Sequence, residues 1–198
     1  HDIMEVASLI GWERNQKKVL NFYNIRRRQL LEVEPNAAHL ALVDLEKKYK
    51  VAIITQNIDD LHERAGSSNV IHLHGELLKV RSTFDDDLIM DWRKDLNSGD
   101  FCENHYQLRP HVVWFGEAVP MFPKAVSLIE DADLVIIVGT SMQVYPAAAL
   151  LDYVDLNIPV YFVDPKPALL SRTSTTIITE KASVGIPDLV IKLLEESF

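Results

Sequence analysis

The amino-acid sequence predicts an α/β fold: a parallel sheet with helices on both faces, plus a small inserted module. Three observations carry this. Five short apolar runs rich in β-branched residues, 51-VAIIT-55, 70-VIHLH-74, 111-HVVWF-115, 134-LVIIV-138 and 158-IPVYFV-163, read as strands. Helical stretches stand between them, and short apolar strands separated by helices indicate a parallel sheet covered on both faces. One segment, 82–107, is polar, acidic and short of aliphatic residues, so it reads as an insert on the α/β body.

The elements follow in order. Residues 16–31 read as a helix, because Val19, Leu20, Tyr23, Arg27 and Leu30 recur near a 3.6-residue period. Residues 36–49 read as a second helix, with Asn36 as N-cap after Pro35 and a stripe of Ala38, Leu42, Leu45 and Tyr49. Residues 120–132 and 145–157 read as connecting helices, and 186-IPDLVIKLLEESF-198 as an amphipathic helix. Within the insert, Leu88, Ile89, Trp92, Leu96 and Phe101 supply a local core. There are no internal repeats and no low-complexity tract.

Composition narrows the function classes. The 198 residues suit one domain with a small insert, and apolar and charged contents of 47% and 25% are those of a globular chain. Lys and Arg number 20 against 29 Asp and Glu, a net charge of −9. That excludes broad affinity for nucleic acid or an anionic membrane. Cys102 is the single cysteine, so no intramolecular disulfide forms, which fits a reducing compartment. No apolar run reaches the roughly 18–20 residues of a membrane span.

In open α/β sheets ligands bind beyond the carboxyl ends of the strands. Those ends carry 55-TQNIDDLHERAG-66, 74-HGEL-77, 115-FGE-117, 139-GTSMQVYPAA-148 and Asp164. Gly139-Thr140-Ser141 alone is compatible with an ordinary strand-to-helix turn; the five ends together point to a nucleotide-sized ligand. His74 stands at a strand end directly before Gly75, and imidazole suits general-base work near neutral pH. His72 competes for that role, and a turn-capping histidine remains the alternative. His39, His62 and His111 read as structural. No G-x-G-x-x-G or Walker loop is present to cradle phosphates. In 19-VLNFYNIRRR-28, either Arg26 or Arg27 can share the face of Tyr23, whereas Arg28 points about 140° away and reads as solvated or paired with Glu32.

TQNID at 55–59, HGEL at 74–77, LRPHVVWFGE at 108–117, GTS at 139–141 and VYPAA at 144–148 resemble the sirtuin family of NAD-dependent protein-lysine deacylases in content, order and spacing. The resemblance covers nearly the whole chain, weakly in 82–107. It implies one catalytic domain over 1–198 with a Rossmann-like body and a small module, NAD as co-substrate, and acyl-lysine proteins or peptides as partners. Tyr23-Asn24-Ile25-Arg26 resembles the Tyr-x-x-Arg mark of the bacterial class III, desuccinylase-like branch. This selects Arg26 with Tyr23 as readers of an acidic acyl group and leaves Arg27 and Arg28 as a solvated basic face.

The resemblance further implies the site. His74 is the general base; Gln56, Asn57, Ile58 and Asp59 hold the ribose and nicotinamide amide; and Gly139, Thr140 and Ser141 hold the adenosine half. Asp164 occupies a position where the family usually has asparagine near the adenosine ribose, and Ala182 lies near the adenine. Val113, Phe115 and Gly116 line the acyl-lysine tunnel, and Val144 and Tyr145 pair with the substrate backbone. The implied reaction joins the acyl oxygen to the nicotinamide ribose carbon, releases nicotinamide and forms an alkylimidate; His74 takes the proton of a ribose hydroxyl that attacks the imidate, and water completes release of free lysine and O-acyl-ADP-ribose.

Two departures qualify the match. The family's glycine-rich GAGxS segment is not among the 22 residues before Tyr23, so it is expected upstream of the residues given. The four-cysteine zinc site has no counterpart: Ser82 and Asp85 stand at the first-pair positions, and Cys102-x-x-His105 offers one thiolate. A zinc-free module over 82–107 and a cytoplasmic location are expected. Deacetylation or ADP-ribosyl transfer as the main activity, or a non-enzymatic NAD or ADP-ribose-binding module, are the alternatives.

Overall fold

The computed structural model describes residues 2–143, 145–168 and 175–196. Its helices are α1 (Ile3–Val6), α2 (Leu9–Arg14), α3 (Gln16–Leu30), α4 (Ala37–Leu45), α5 (Leu61–Ala65), α6 (Phe122–Glu130) and α7 (Ala182–Glu195), with a 3₁₀ helix over Ala147–Tyr153. Its strands are β1 (Ile53–Thr55), β2 (Val70–His72), β3 (Gly75–Ser82), β4 (Ile89–Asp91), β5 (Leu108–Val112), β6 (Val135–Val138), β7 (Val160–Val163) and β8 (Thr175–Ile178). The class is α/β with parallel strands and helices, and the chain divides into two compact units.

The first unit comprises His1–Glu34, Thr55–Asp60 and His74–Val119. Its sheet is antiparallel, in the order β4-β3-β5, with Arg81 opposite Ile89 on one side and Arg109 on the other. This corrects the strand expected at 111–115: β5 begins at Leu108, ends at Val112, and pairs antiparallel with β3. Gly75 opens β3 at φ 82°, and a Cβ there would lie 2.2 Å from the His111 carbonyl oxygen, so this close approach requires glycine. α3 starts where the Asn15 side chain accepts from the Lys18 N–H and buries Val19, Leu20, Phe22, Tyr23 and Leu30.

Arg27 corrects a second expectation. It belongs to the buried stripe of α3 and is 1% exposed, not solvated. Its Nε donates to the Leu77 carbonyl at 3.1 Å and one terminal nitrogen donates to Asn24 Oδ1 at 2.7 Å. Asn24 in turn clamps the Leu96 backbone, accepting from its N–H and donating to its carbonyl, both at 2.9 Å. Burial lowers the Arg27 guanidinium to about 10, against a raising influence from Asp95. Arg28 pairs at 2.6 Å with Asp95, not with Glu32.

The second unit comprises Pro35–Ile54, Leu61–Leu73 and Pro120–Phe198. β6, β7 and β8 run parallel, with Val138 beside Val163 and Val163 beside Ile178. β8 was not expected, because 175-TTII-178 is short and half polar. The core is apolar: Ala38, Ala41, Leu42 and Leu45 of α4 meet Ile186, Leu189, Val190 and Leu193 of α7 over Val163. α7 begins four residues earlier than the amphipathic pattern suggests, at Ala182 rather than Ile186. The predicted helix at 145–157 is a 3₁₀ helix.

Candidate active site

His74 lies in the turn joining β2 to β3. Its carbonyl accepts from the Val113 N–H at 2.9 Å, and its ring Nδ1 lies 3.1 Å from the Gln56 carbonyl oxygen. A carbonyl only accepts, so Nδ1 carries the proton in this bond. In the neutral ring, Nε2 is then left with its lone pair, as a base requires. His72 is differently engaged: it is buried, and its Nε2 lies 2.6 Å from Glu63 Oε1. Burial pushes the Glu63 carboxyl up, but its His72 hydrogen bond and further local bonds prevail and hold it below its usual range. Of the two competing histidines, His74 keeps a nitrogen available by this geometry.

The loop carrying Gln56, Asn57, Ile58 and Asp59 is tied down from two sides. The Asn57 N–H donates to Thr55 Oγ1 at 3.0 Å, and the Leu77 N–H donates to the Ile58 carbonyl at 2.7 Å. Gln56 and Asp59 are half-buried and Asn57 is exposed. Beyond β5, Val113 is half-buried, whereas Phe115 and Gly116 are exposed. The Phe115 N–H is anchored on the Ala7 carbonyl at 2.9 Å.

Tyr23 reaches the same stretch from α3. It is 3% exposed, and its hydroxyl oxygen accepts from Trp114 Nε1 at 2.9 Å. Burial drives the phenol up to about 12. Arg26, one turn on, is exposed, and its guanidinium lies 3.4 Å from the centre of the Phe22 ring. Sequence reasoning assigned no role to the ion cluster behind Trp114. The Glu117 carboxylate accepts from Arg109 at 2.7 and 3.0 Å, from Arg81 at 3.1 Å and from the Trp114 N–H at 2.7 Å. Burial raises the Glu117 carboxyl, but these donors outweigh it and hold the group below its usual range. The signal was present in LRPHVVWFGE, which holds an arginine and a glutamate eight residues apart; neither residue type reveals burial on its own.

In the second unit, polar residues gather at neighbouring strand ends. The Gly139 N–H donates to the Val163 carbonyl at 3.1 Å, and the Asp164 N–H donates to the Ile178 carbonyl at 3.2 Å. Gly139 sits at φ 56° with nothing within 4 Å of where a Cβ would be, so the backbone is open to approach. Thr140 Oγ1 accepts from the Met142 N–H at 3.2 Å, and Asp164 Oδ1 accepts from the Lys166 N–H at 2.6 Å. Ser141 and Tyr145 are exposed, and Ala182 opens α7. Val144 lies outside the described residues.

The positions compared with a zinc site do not fit one. The Cys102 thiol donates to Ser82 Oγ at 3.5 Å, and that oxygen also accepts from the Phe84 and Asp85 N–H groups. Among the described residues, no group of three His, Cys, Asp or Glu ligand atoms includes Cys102 or His105. A tetrahedral sulfur-rich centre cannot be built from one thiolate.

The second unit carries a parallel sheet with polar strand ends, and the first a histidine on a fixed turn with Nδ1 committed to a carbonyl; both are features found in α/β enzymes that act with a nucleotide. The Sir2 family model matches residues 1–146. An NAD-dependent protein deacylase of Helicobacter pylori (strain ATCC 700392 / 26695) is 57% identical over 197 residues, 98% of this chain and 86% of the relative. A Sir2 homologue solved as a complex with NAD superposes with a TM-score of 0.89 at 34% identity, over 96% of this chain and 77% of the other. A Sir2 structure bound to a propionylated peptide gives a TM-score of 0.80 at 28% identity, over 97% and 83%. The chain belongs to the Sir2 family.

Proposed function

We propose that this chain is an NAD-dependent protein-lysine deacylase that removes acidic acyl groups, succinyl and malonyl among them, as well as acetyl. The observation that carries the enzymatic reading is His74, with Nδ1 committed to the Gln56 carbonyl and Nε2 left as the base. Family membership and the name of the Helicobacter pylori relative support it. The acidic preference is supported by Tyr23 and Arg26, one helical turn apart on α3. A guanidinium binds a carboxylate with paired hydrogen bonds, and a phenol adds a donor.

The donor set suits NAD. Amide and carboxyl groups at Gln56, Asn57 and Asp59 match hydroxyls and a carboxamide, while the Gly139 backbone, Thr140, Ser141 and Asp164 match the adenosine half, with Ala182 beside the base. When bound, NAD supplies the ribose carbon that takes the acyl oxygen and the nicotinamide that leaves. His74 Nε2 accepts the proton of a ribose hydroxyl, which then attacks the acyl carbon. Val113, Phe115 and Gly116 guide the acyl-lysine chain, and Val144 and Tyr145 pair with the peptide backbone as an added strand. The same reading holds the 82–107 segment together without metal and sets the enzyme in the cytoplasm.

Matched acetyl- and succinyl-lysine peptides with NAD provide the test. His74→Ala is expected to abolish turnover of both, and retained activity would remove the base assignment. Arg26→Met is expected to lower the succinyl-to-acetyl ratio of kcat/KM, and an unchanged ratio would remove the acidic preference. Metal analysis of purified enzyme is expected to find no stoichiometric zinc.

A further inference from the structure

We infer that Trp114 is a positioning residue that aims the Tyr23 hydroxyl proton, and so sets the discrimination between charged and neutral acyl groups. The inference rests on the acyl-reading role proposed for Tyr23 and Arg26. An indole N–H can only donate, whereas a phenol hydroxyl both donates and accepts. At 2.9 Å, Trp114 Nε1 therefore occupies an acceptor site on the Tyr23 oxygen and turns the phenol proton away from the indole. Among the described residues no protein group takes that proton. A buried donor without an acceptor is unfavourable, so a ligand oxygen that receives it is favoured. The indole bond also polarises the O–H and strengthens it as a donor.

Trp114 is itself held firmly enough to do this. It is 2% exposed, its ring lies under the Arg109 guanidinium at 3.5 Å, and the Trp12 ring lies 5.6 Å away. Its backbone N–H ends on Glu117, which also grips Arg109 at 2.7 and 3.0 Å. A chain of contacts thus runs from Glu117 through Arg109 and the indole to one phenol proton. The ligand that such a proton selects is a carboxylate at the far end of an acyl group. An acetyl group ends in a methyl and offers no acceptor there.

Trp114→Phe keeps an aromatic ring under Arg109 and deletes the N–H. The succinyl-to-acetyl ratio of kcat/KM is expected to fall about tenfold, the size of one hydrogen bond to a charged group. The change should appear mainly in KM for the succinyl peptide. Tyr23→Phe lowers the ratio at least as far. In the double variant, Trp114→Phe adds little once the hydroxyl is gone, because both changes act through one bond. Equal losses on both peptides, or additive effects in the double variant, overturn the inference. If Tyr23→Phe and Arg26→Met leave the ratio unchanged, the acidic-acyl reading itself has failed. If they lower it and Trp114→Phe does not, only the positioning role has failed. Thermal melts of each variant, with Tm retained, confirm that the comparison is between folded proteins.

Discussion

Both units pack apolar side chains inside, and they differ in the ions buried among them. The second unit packs aliphatic side chains: α4 against α7 over Val163, with Leu193 and Ile186 fully enclosed. The first unit buries aliphatic residues too, Val19, Val80 and Leu108 among them, but it also encloses Arg27, Arg81 and Arg109, each under 10% exposed. An apolar core is non-directional, and it fixes where strands end without aiming any single side chain. Buried ions and their hydrogen bonds are directional, and they specify which atom faces which. The difference fits the site residues proposed for each unit. In the second unit these are largely backbone and short polar groups at the ends of β6 and β7. In the first they are a ring nitrogen, a phenol and a guanidinium, whose orientation decides what they can do.

Breaking the directional side should cost most. Glu117→Gln removes the anion facing Arg81 and Arg109 and leaves two buried cations without it. Breaking a buried pair by removing one partner typically costs about 3–5 kcal/mol. A chemical denaturation series is expected to show a loss of that size; a loss below about 1 kcal/mol would mean that the cluster is more hydrated than its burial implies. Breaking the apolar side should cost somewhat less. Leu193→Ala opens a cavity beneath α4 and is expected to cost about 3 kcal/mol. Its succinyl-to-acetyl ratio should stay at the wild-type value, since nothing in that core aims a substrate-facing atom.

The pH dependence bears on the same comparison: Glu117 and Tyr23 titrate in the first unit, while the depressed Glu63 carboxyl adds an acid dependence in the second. Glu117 is depressed in the folded state. The stability it contributes is therefore present above its ordinary value of 4.5 and is lost as pH falls through the lower folded value. Tyr23 is raised from 10.0 to about 12. The folded state holds that proton more tightly, so its contribution is complete below pH 10 and is lost as pH rises from 10 toward 12. Wild type should thus lose stability as pH falls through the Glu117 range, whereas the Tyr23 loss between pH 10 and 12 is opposed by Arg27, whose guanidinium, lowered from 12.5 to about 10, gives up its proton sooner in the folded state. Glu117→Gln should make the acid limb shallower, and Tyr23→Phe should remove the Tyr23 loss from the alkaline limb. Unchanged limbs in these variants would place the titrating groups elsewhere.

The same contrast explains what could be read from the sequence. The parallel strands β6 and β7 were legible, because continuous apolar runs followed by Gly139 or Asp164 are local signals. So were α3, from periodicity, and α4, from periodicity and the Asn36 cap. The antiparallel pairing of β3 with β5 was not. It depends on contacts between distant segments, and the apolar run at 111–115 continues past the strand into the turn that holds Trp114. Arg27 is the instructive miss. Its spacing put it on the buried stripe with Tyr23 and Leu30, but its charge argued for solvent, and the periodicity was the better guide. What favours burial there is Asn24 Oδ1 and the Leu77 carbonyl, partners supplied by side-chain geometry and by a strand fifty residues away. The tautomer of His74 was hidden for the same reason, since the Gln56 carbonyl that fixes it lies 18 residues earlier.

Arg28 gives the smallest expected effect and the cleanest control for that miss. It adjoins Arg27 in the chain but lies on the outer face of α3. Its partner Asp95 is at 2.6 Å, with side-chain exposures of 53% and 43%. In high dielectric the attraction between such groups is offset by solvent screening and by the side-chain entropy lost in holding them together, so exposed pairs are worth about 0–1 kcal/mol. Arg28→Ala should therefore lower the unfolding free energy by less than roughly 0.5 kcal/mol, and that small loss should shrink further in high salt. Arg27→Ala, one residue earlier, takes the guanidinium donor from the Leu77 carbonyl and leaves Asn24 Oδ1 with only the Leu96 N–H, and should cost several times more. Two arginines of like charge, adjacent in sequence, then separate by burial alone. Equal costs for the two substitutions would mean that charge on α3, not the enclosure of Arg27, is what the first unit requires.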